Sequence, residues 1–357
     1  MRFSTILLGA FVIASPCLAQ MAVLRPAPSV EMPAIADCNS PAHWSDGQIR
    51  VFNSAGAPMI SGGADQFHLG TAQPVREDSS EHLPMWIEST WRDSDGTLYG
   101  WYHNEPEGIC GGKLTAPRIG AAVSYDDGNT FQDLGIVLES GDRLDCSSAN
   151  GFFAGGHGDF SVILDRAGKY FYFLFSNYGG NLDSQGIAIA RMAFEDRRNP
   201  AGAVWKYFAG DWTEPGVGGR VSPIFPAVVS WQRSDTNAFW GPSIHWNTFL
   251  NSYVVLMNHA CCRPKWPQEG IYVSFNPDLA NPAGWTGPSR ILANPPDYYP
   301  QVLGVEPDGT DTAAGQTARF YIHGTSKWEI AFYMDTGPGD ATDDPQKGLV
   351  LPSLPRQ

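Results

Sequence analysis

Four acidic residues of this sequence lie near predicted strand starts or in loops, where any two of them could act together as an acid and a base. They are Asp65, Glu88, Asp159 and Glu269. Two carboxyl groups on either side of a glycosidic bond, one acting as acid and one as base, hydrolyse that bond. We take all four as candidate catalytic residues. For Asp65 and Glu269, both in loops, the alternative is a turn-forming or solvated carboxylate, and for Glu88 it is an outward-facing one.

Three histidines lie near strand ends and are candidates for hydrogen bonds to a ligand: His82, His157 and His245. His157 belongs to the run Gly155-Gly-His-Gly158, whose glycines allow backbone and ligand to approach closely. The spacing of the three matches no zinc motif, so we expect no metal ligands and no cofactor. A single structural metal ion is the alternative, and a lone histidine is also commonly a structural group.

Aromatic residues cluster at the same strand starts and in their loops. We predict that Trp86, Trp240 and Tyr299 bind substrate, and Trp246, Trp266 and Tyr298 lie in similar positions. The C–H faces of sugar rings stack on indole and phenol rings, while nearby polar groups bind the hydroxyls. We expect some of these aromatics to fill gaps in the core instead.

The elements that must position these residues repeat along the chain. Four segments share one plan: an entry strand, an aromatic-rich strand, a loop and an alternating strand. The entry strands are residues 83–88, 158–162, 240–245 and 299–302. A unit of three or four strands buries both its faces only when similar units pack beside it, as in a propeller.

We therefore predict an all-β fold, a five-bladed β-propeller, with residues 47–69 contributing the remaining blade, closed by strands from both ends of the chain. Four or six blades, and a pair of β-sandwiches, are the alternatives. The predicted domain organisation is an export signal (1–19), an N-terminal extension (20–44), one propeller domain (45–340) and a C-terminal tail (341–357).

A turn motif supports the propeller. Ser124-Tyr-Asp-Asp-Gly-Asn-Thr-Phe131 matches the Asp-box pattern S-x-D-x-G-x-T-[FW] of sialidases and other propellers. In such a turn the Asp126 carboxylate binds loop amides, while Ser124 and Phe131 pack inward. We interpret Asp126 as structural.

The second repeat resembles a known family. Gly158-Asp-Phe-Ser-Val-Ile-Leu-Asp-Arg-Ala-Gly-Lys-Tyr-Phe-Tyr-Phe173 is similar to the I-D-P-S-x-F-x-D-x-D-G-K-Y-Y-L segment of the five-bladed glycoside hydrolases of the arabinanase and xylosidase superfamily. The resemblance is distant and spans roughly residues 80 to 335. It implies that Asp159 matches the aspartate that tunes the pKa of the catalytic acid.

Two departures from this family bear on activity. The aligned positions of the base and the acid hold Leu83 and Trp240. Either the catalytic carboxylates have moved, with Glu88 and Glu269 as acid or base, or the propeller binds sugar without cleaving it. The leading hypothesis is a carbohydrate-active enzyme, a glycoside hydrolase acting on a polysaccharide or oligosaccharide, and the alternative is a lectin-like propeller. A sialidase is disfavoured because no entry strand begins with arginine for the substrate carboxylate.

The N-terminal sequence and the composition limit the cellular compartment and the kinds of binding partner that we expect. A short apolar run after Arg2, ending in small residues before Gln20, predicts an export signal and a secreted or periplasmic protein. The net charge of −14 argues against nucleic acid or anionic membranes as partners. Export permits disulfides, and we predict a Cys110–Cys146 pair. The sequence leaves the oligomeric state open.

Overall fold

The computed structural model describes residues 19–335, so most of the predicted signal and the whole predicted tail lie outside the described residues. The chain forms strands almost throughout. In chain order these are β1 (Ala19–Glu31), β2 (Ala42–Ser45), β3 (Gln48–Ser54), β4 (Pro58–Gly63), β5 (Gln73–Pro74), β6 (Arg76–Glu77), β7 (Met85–Arg92), β8 (Leu98–Asn104), β9 (Arg118–Ser124), β10 (Thr130–Leu138), β11 (His157–Leu164), β12 (Tyr170–Asn177), β13 (Gly186–Ala193), β14 (Val204–Phe208), β15 (Asp211–Pro215), β16 (Phe225–Pro226), β17 (Asn237–Asn247), β18 (Ser252–Cys261), β19 (Gln268–Asn276), β20 (Ser289–Ala293), β21 (Pro300–Gly304), β22 (Ala313–Ala314), β23 (Thr317–Ile322) and β24 (Thr325–Asp335).

The helical segments of the described chain are short 3-10 turns. They span Ile109–Gly112, Leu182–Ser184, Phe194–Arg198 and Pro282–Gly284. Within the described residues, no helix is long and apolar enough to cross a membrane.

The strands form five sheets, which confirms the predicted five-bladed propeller. The sheet orders are β2-β3-β4-β5, β6-β10-β9-β8-β7, β11-β12-β13-β14-β15, β20-β19-β18-β17-β22 and β1-β24-β23-β21. The innermost strands β2, β7, β11, β17 and β21 pack around the centre. We number the blades one to five in the order of these inner strands.

The fifth blade joins the two ends of the described chain. Strand β1 pairs antiparallel with β24, from Ala19 opposite Asp335 to Glu31 opposite Thr325. The segment 20–44, which the sequence analysis placed outside the propeller, therefore supplies the outer strand of blade five and the start of β2 in blade one. The sequence analysis expected strands from both ends of the chain to close the blade of residues 47–69, whereas these strands close blade five.

The aromatic run 170–175 explains how the blades cohere. Successive side chains of a strand point to opposite faces. Phe171 and Phe173 pack with Trp101 of blade two, whereas Tyr172 and Leu174 pack against blade four. A strand buried on both faces reads as a continuous apolar run, because each blade is covered on both sides by its neighbours.

The structure confirms the predicted Cys110–Cys146 disulfide and also describes the turn that carries Asp126. In the turn between β9 and β10, Asp126 accepts hydrogen bonds from the Thr130 amide (2.8 Å) and hydroxyl (2.8 Å), while Ser124 and Phe131 are buried. Cys110 and Cys146 form a disulfide with Cα atoms 5.2 Å apart. A second disulfide joins the neighbours Cys261 and Cys262 at the end of β18.

Candidate active site

A cavity of about 480 Å³ opens where the five inner strands begin, and we call it the central pocket. This volume lies within the range of small-ligand sites. All five blades contribute to its lining, which consists of Asp37, Trp86, His103, Glu105, Phe152, Phe153, Asp159, Trp240, Lys265, Trp266, Gln268, Pro295, Pro296, Asp297, Tyr298 and Tyr299.

Three inner strands have irregular pairing at equivalent positions near this end of the propeller, and the irregularity changes the direction of side chains there. The pairing of β7 with β8 skips Glu88, and that of β11 with β12 skips Asp159. The pairing of β17 with β18 shifts between Trp240 and Ser243. A β-bulge leaves one residue unpaired and redirects its side chain, which is why bulges are common beside active sites.

Blade one contributes Asp37, which stands before β2 and is held by its neighbours in sequence. The Asn39 side-chain amide donates to the carbonyls of Phe160 (2.8 Å) and Pro242 (2.9 Å), across the centre of the propeller. Ser40 exchanges two hydrogen bonds with the side chain of Gln301 in blade five. These contacts to three other blades fix the segment that carries Asp37.

Asp159 lies at the base of the pocket and is only 2% exposed. Its two carboxylate oxygens accept hydrogen bonds from the hydroxyls of Tyr299 (2.8 Å) and Tyr178. Asp159 and Tyr299 both have positive φ angles, 42° and 59°. Residues rarely adopt this conformation unless their surroundings impose it, and such residues concentrate at functional sites. Burial raises the pKa of Asp159, although the charge of His103 and the tyrosine hydrogen bonds oppose the shift.

Asp37 is the pocket carboxylate whose pKa is tuned towards neutrality. Burial, followed by the negative charge of Asp159, raises the pKa of Asp37 to about 6. The charge of Glu105 acts in the same direction, while His323 and His103 act against it. A carboxyl group with a pKa near the working pH is suited to proton transfer.

A buried imidazole links two further carboxylates. Nδ1 of His103 lies 3.1 Å from Oε1 of Glu88, and its Nε2 lies 3.3 Å from Oε1 of Glu105. Burial disfavours the charged imidazole, but contacts with Glu105 and Glu88 outweigh it and raise the pKa of His103. Glu88 also accepts a hydrogen bond from the Phe160 amide (2.8 Å). Glu105 thus reaches the pocket with a positively charged histidine behind it.

Glu88, His103 and Asp159 have ligand atoms within 4.8 Å of one another, a spacing that a metal ion would also accept. Their contacts favour another interpretation. Both oxygens of Glu88 and both of Asp159 already have protein partners. We therefore interpret the three residues as a hydrogen-bonded cluster supporting the pocket.

Aromatic side chains form a wall of the pocket next to these acids. The Trp266 ring lies among those of Trp231 (centroids 4.5 Å apart), Phe153 (5.8 Å) and Trp240 (6.1 Å). The Trp240 indole donates to Gln268 Oε1 at 3.1 Å. An apolar wall next to several carboxylates is the combination that sugar rings require, because their C–H faces stack and their hydroxyls bind the acids.

Six of the residues singled out from the sequence line the central pocket: Asp159, Trp86, Trp240, Tyr299, Trp266 and Tyr298. Glu88 lies behind it, 1% exposed, and faces neither substrate nor solvent. The structure thus differs from both interpretations of Glu88 offered above. The bulge in β7 turns its side chain towards His103 and blade three.

The remaining predicted residues lie outside the pocket lining. Asp65 caps an exposed turn, bound to the Phe67 amide (2.8 Å) and to His68. Glu269 binds His259 (3.1 Å), Tyr272 and Arg290, and His82 binds Asp133. His157 and His245 are buried, and burial lowers the pKa of both, to about 3 for His245. These two are neutral packing groups.

Sequence reasoning missed Asp37, His103, Glu105, Phe152, Phe153, Lys265, Gln268 and Asp297. The resemblance in the sequence aligned Leu83 with the position of the base. Leu83 lies before β7 and lines an outer cavity, whereas the carboxylate of the first blade is Asp37. The sequence feature that could have indicated Asp37 is the short polar segment that precedes β2, residues 37–40.

Comparisons with known proteins agree with this architecture. An endo-arabinase from Bacteroides thetaiotaomicron has 11% sequence identity and a TM-score of 0.50, with 85% of this chain and 95% of that chain covered. The chain has the fold of the five-bladed glycoside hydrolases. The resemblance predicted from the sequence is thereby confirmed for the fold.

Two further structures are similar over comparable lengths. A thermostable family-43 glycoside hydrolase has 11% identity and a TM-score of 0.48, covering 85% of this chain and 92% of that chain. An exo-1,5-α-L-arabinanase from a bovine ruminal metagenomic library has 15% identity and a TM-score of 0.45, covering 84% and 95%. No protein-family model and no curated protein matches the sequence.

Proposed function

We propose that this protein hydrolyses glycosidic bonds of a polysaccharide or oligosaccharide in the central pocket. One observation carries the proposal: Asp37 and Glu105 lie in one aromatic-walled pocket beside the buried Asp159. The fold similarity to glycoside hydrolases is consistent with it, but function depends on the site rather than on the fold.

The environments of the carboxylates suggest different roles. With its pKa raised to about 6, Asp37 is a base strong enough to activate water and still ionised near neutral pH. Glu105 reaches the pocket 3.3 Å from the His103 imidazole and, in its protonated form, is the acid that protonates the leaving oxygen. Asp159, with both oxygens bound by tyrosines, acts through its charge on Asp37.

A second function, sugar binding without cleavage, is favoured by one observation. Trp240 stands where the sequence resemblance places the family's acid, and its indole is part of the aromatic wall. A panel of plant and bacterial polysaccharides separates the two functions. Release of new reducing ends from any of them supports hydrolysis, whereas tight binding without release from all of them supports a lectin-like role.

The pH profile tests the role of Asp159. As the base, Asp37 works when ionised, so kcat/KM is expected to rise with pH through about 6. Asp159→Asn removes a negative charge that raises the pKa of Asp37, so the rising limb of the residual activity is expected at lower pH. Activity of the variant is expected to be strongly reduced. A rising limb unmoved by the substitution, or undiminished activity, contradicts this role.

We also propose that the protein is exported, with residues 1–19 as the signal. The disulfide between Cys110 and Cys146 supports an oxidising compartment. Mass spectrometry of protein recovered outside the cytoplasm is expected to find Gln20 as the first residue. Recovery of the intact chain from the cytoplasm contradicts this proposal.

A further inference from the structure

The central pocket continues into a second cavity of about 540 Å³, and the two share Glu105, Phe152 and Phe153 in their linings. The second cavity in turn shares Pro84 and Glu107 with a third, of about 420 Å³. The three cavities adjoin one another in a row from the centre of the propeller across blade two towards blade one. Glu105, the proposed acid, stands at the first junction.

The walls of the second cavity, which we call the side groove, are tied together covalently. One wall is the loop 105–115, and the other is formed by residues 151–153 of the segment 146–153. The Cys110–Cys146 disulfide joins the two segments. The Thr115 amide donates to the Phe152 carbonyl (2.9 Å), and the Ala154 amide donates to the Thr115 carbonyl (2.8 Å). A groove held in this way loses little conformational freedom when a ligand binds, which favours affinity.

The lining of the side groove suits sugar units. Phe152, at the junction with the central pocket, is 53% exposed and lies 5.1 Å from the Trp266 ring. Large exposed aromatic rings beside a cleft are typical of ligand-binding surfaces. Glu107, Lys113 and Thr115 provide polar groups for hydroxyls. Glu105 and Glu107 outnumber the ammonium group of Lys113, so the groove disfavours acidic sugars.

We propose that the side groove binds the part of a neutral sugar chain that extends beyond the central pocket, on one side of the bond next to Glu105. The inference rests on the proposed function, because it assumes that the central pocket holds sugar. It makes the substrate an oligosaccharide or polysaccharide whose affinity increases with length, rather than a disaccharide.

Titration calorimetry on full-length Asp37→Asn protein, which is expected not to degrade its ligands, tests this proposal. The probes are α-1,5-linked arabino-oligosaccharides and β-1,4-linked xylo-oligosaccharides of two to six units, with galacturonic acid oligomers as an acidic series. For at least one neutral series, we expect affinity to increase about tenfold or more between two and five units, about what one hydrogen bond to a charged group contributes. The acidic series is expected to bind more weakly.

A double substitution in the groove then removes this gain. Adding Glu107→Ala and Lys113→Ala, both outside the central pocket, is expected to abolish the dependence on length and to leave the two-unit affinity unchanged. The matched control is Glu195→Ala with Lys169→Ala, an exposed pair of the same charges on blade three. Two results contradict the proposed groove: an affinity that does not depend on the length of the oligosaccharide, or a double substitution that lowers affinity equally at every length.

Different results contradict the proposed groove and the proposed hydrolysis. Length-dependent binding by the Asp37→Asn protein, without cleavage of any probe by the unmodified protein, supports the groove and contradicts the hydrolase. Cleavage of short and long probes with equal kcat/KM and equal affinity supports the hydrolase and contradicts the groove. Failure of every neutral probe to bind at millimolar concentration contradicts both.

Discussion

Asp37→Asn is expected to lower kcat/KM for hydrolysis by about 10³-fold, within the usual range for losing a general base. Asparagine keeps the size and hydrogen-bonding shape of the side chain but cannot take a proton from water. Sugar affinity is therefore expected to change by less than about threefold, since the aromatic wall is untouched. Reducing-end release and calorimetry with the same oligosaccharide measure the two effects separately.

Asp65→Asn is the matched control for this experiment. It makes the same chemical change at an exposed turn outside the pocket lining. Full activity in this control together with loss in Asp37→Asn assigns the effect to the pocket. If Asp37→Asn keeps more than about a tenth of the activity, Asp37 is not the base.

Glu105→Gln is expected to have the second-largest effect, a loss of about 10²-fold or more in kcat on natural sugar chains. The leaving oxygen of such a chain needs a proton, and glutamine has none to give. An aryl glycoside with a good leaving group needs no such proton, so the loss on that substrate is expected to be much smaller. The comparison of the two substrates identifies an acid and is insensitive to a merely structural role.

Glu269→Gln provides the control for this carboxylate. Like Glu105 it contacts a histidine, here His259 at 3.1 Å, but it lies outside the central pocket. We expect near-normal activity from it on both substrates. Equal losses on both substrates for Glu105→Gln would argue that Glu105 positions the sugar rather than donating a proton.

The fold was predictable from the sequence because each blade is formed mainly by strands that follow one another along the chain. The side chains of residues 170–175 pack alternately against the two neighbouring blades, so this strand is apolar at successive positions. The Asp126 turn depends on hydrogen bonds within the seven residues 124–130, so its pattern is complete in one segment. Asp159 was found for a similar reason, since the segment 158–173 that resembles the glycoside hydrolases is contiguous in the sequence.

The rest of the site depends on contacts that no local pattern encodes. Asp37 is positioned through Asn39 and Ser40, whose partners lie more than a hundred residues away. Glu105 lies in a loop that a disulfide holds in place. Glu88 lies two residues after Trp86, so a regular strand would put both on one face, but a bulge breaks the alternation between them and turns Glu88 behind the pocket.

A crystal structure of the Asp37→Asn protein with a bound oligosaccharide from the panel tests the central claim most directly. We predict a sugar chain in the central pocket, stacked on the aromatic wall of Trp240 and Trp266. One glycosidic oxygen is expected within hydrogen-bonding distance of the Glu105 carboxylate, with a water molecule between the anomeric carbon and the side chain at position 37. Sugar bound on another surface, or in the pocket with no glycosidic oxygen near Glu105, contradicts the proposed mechanism.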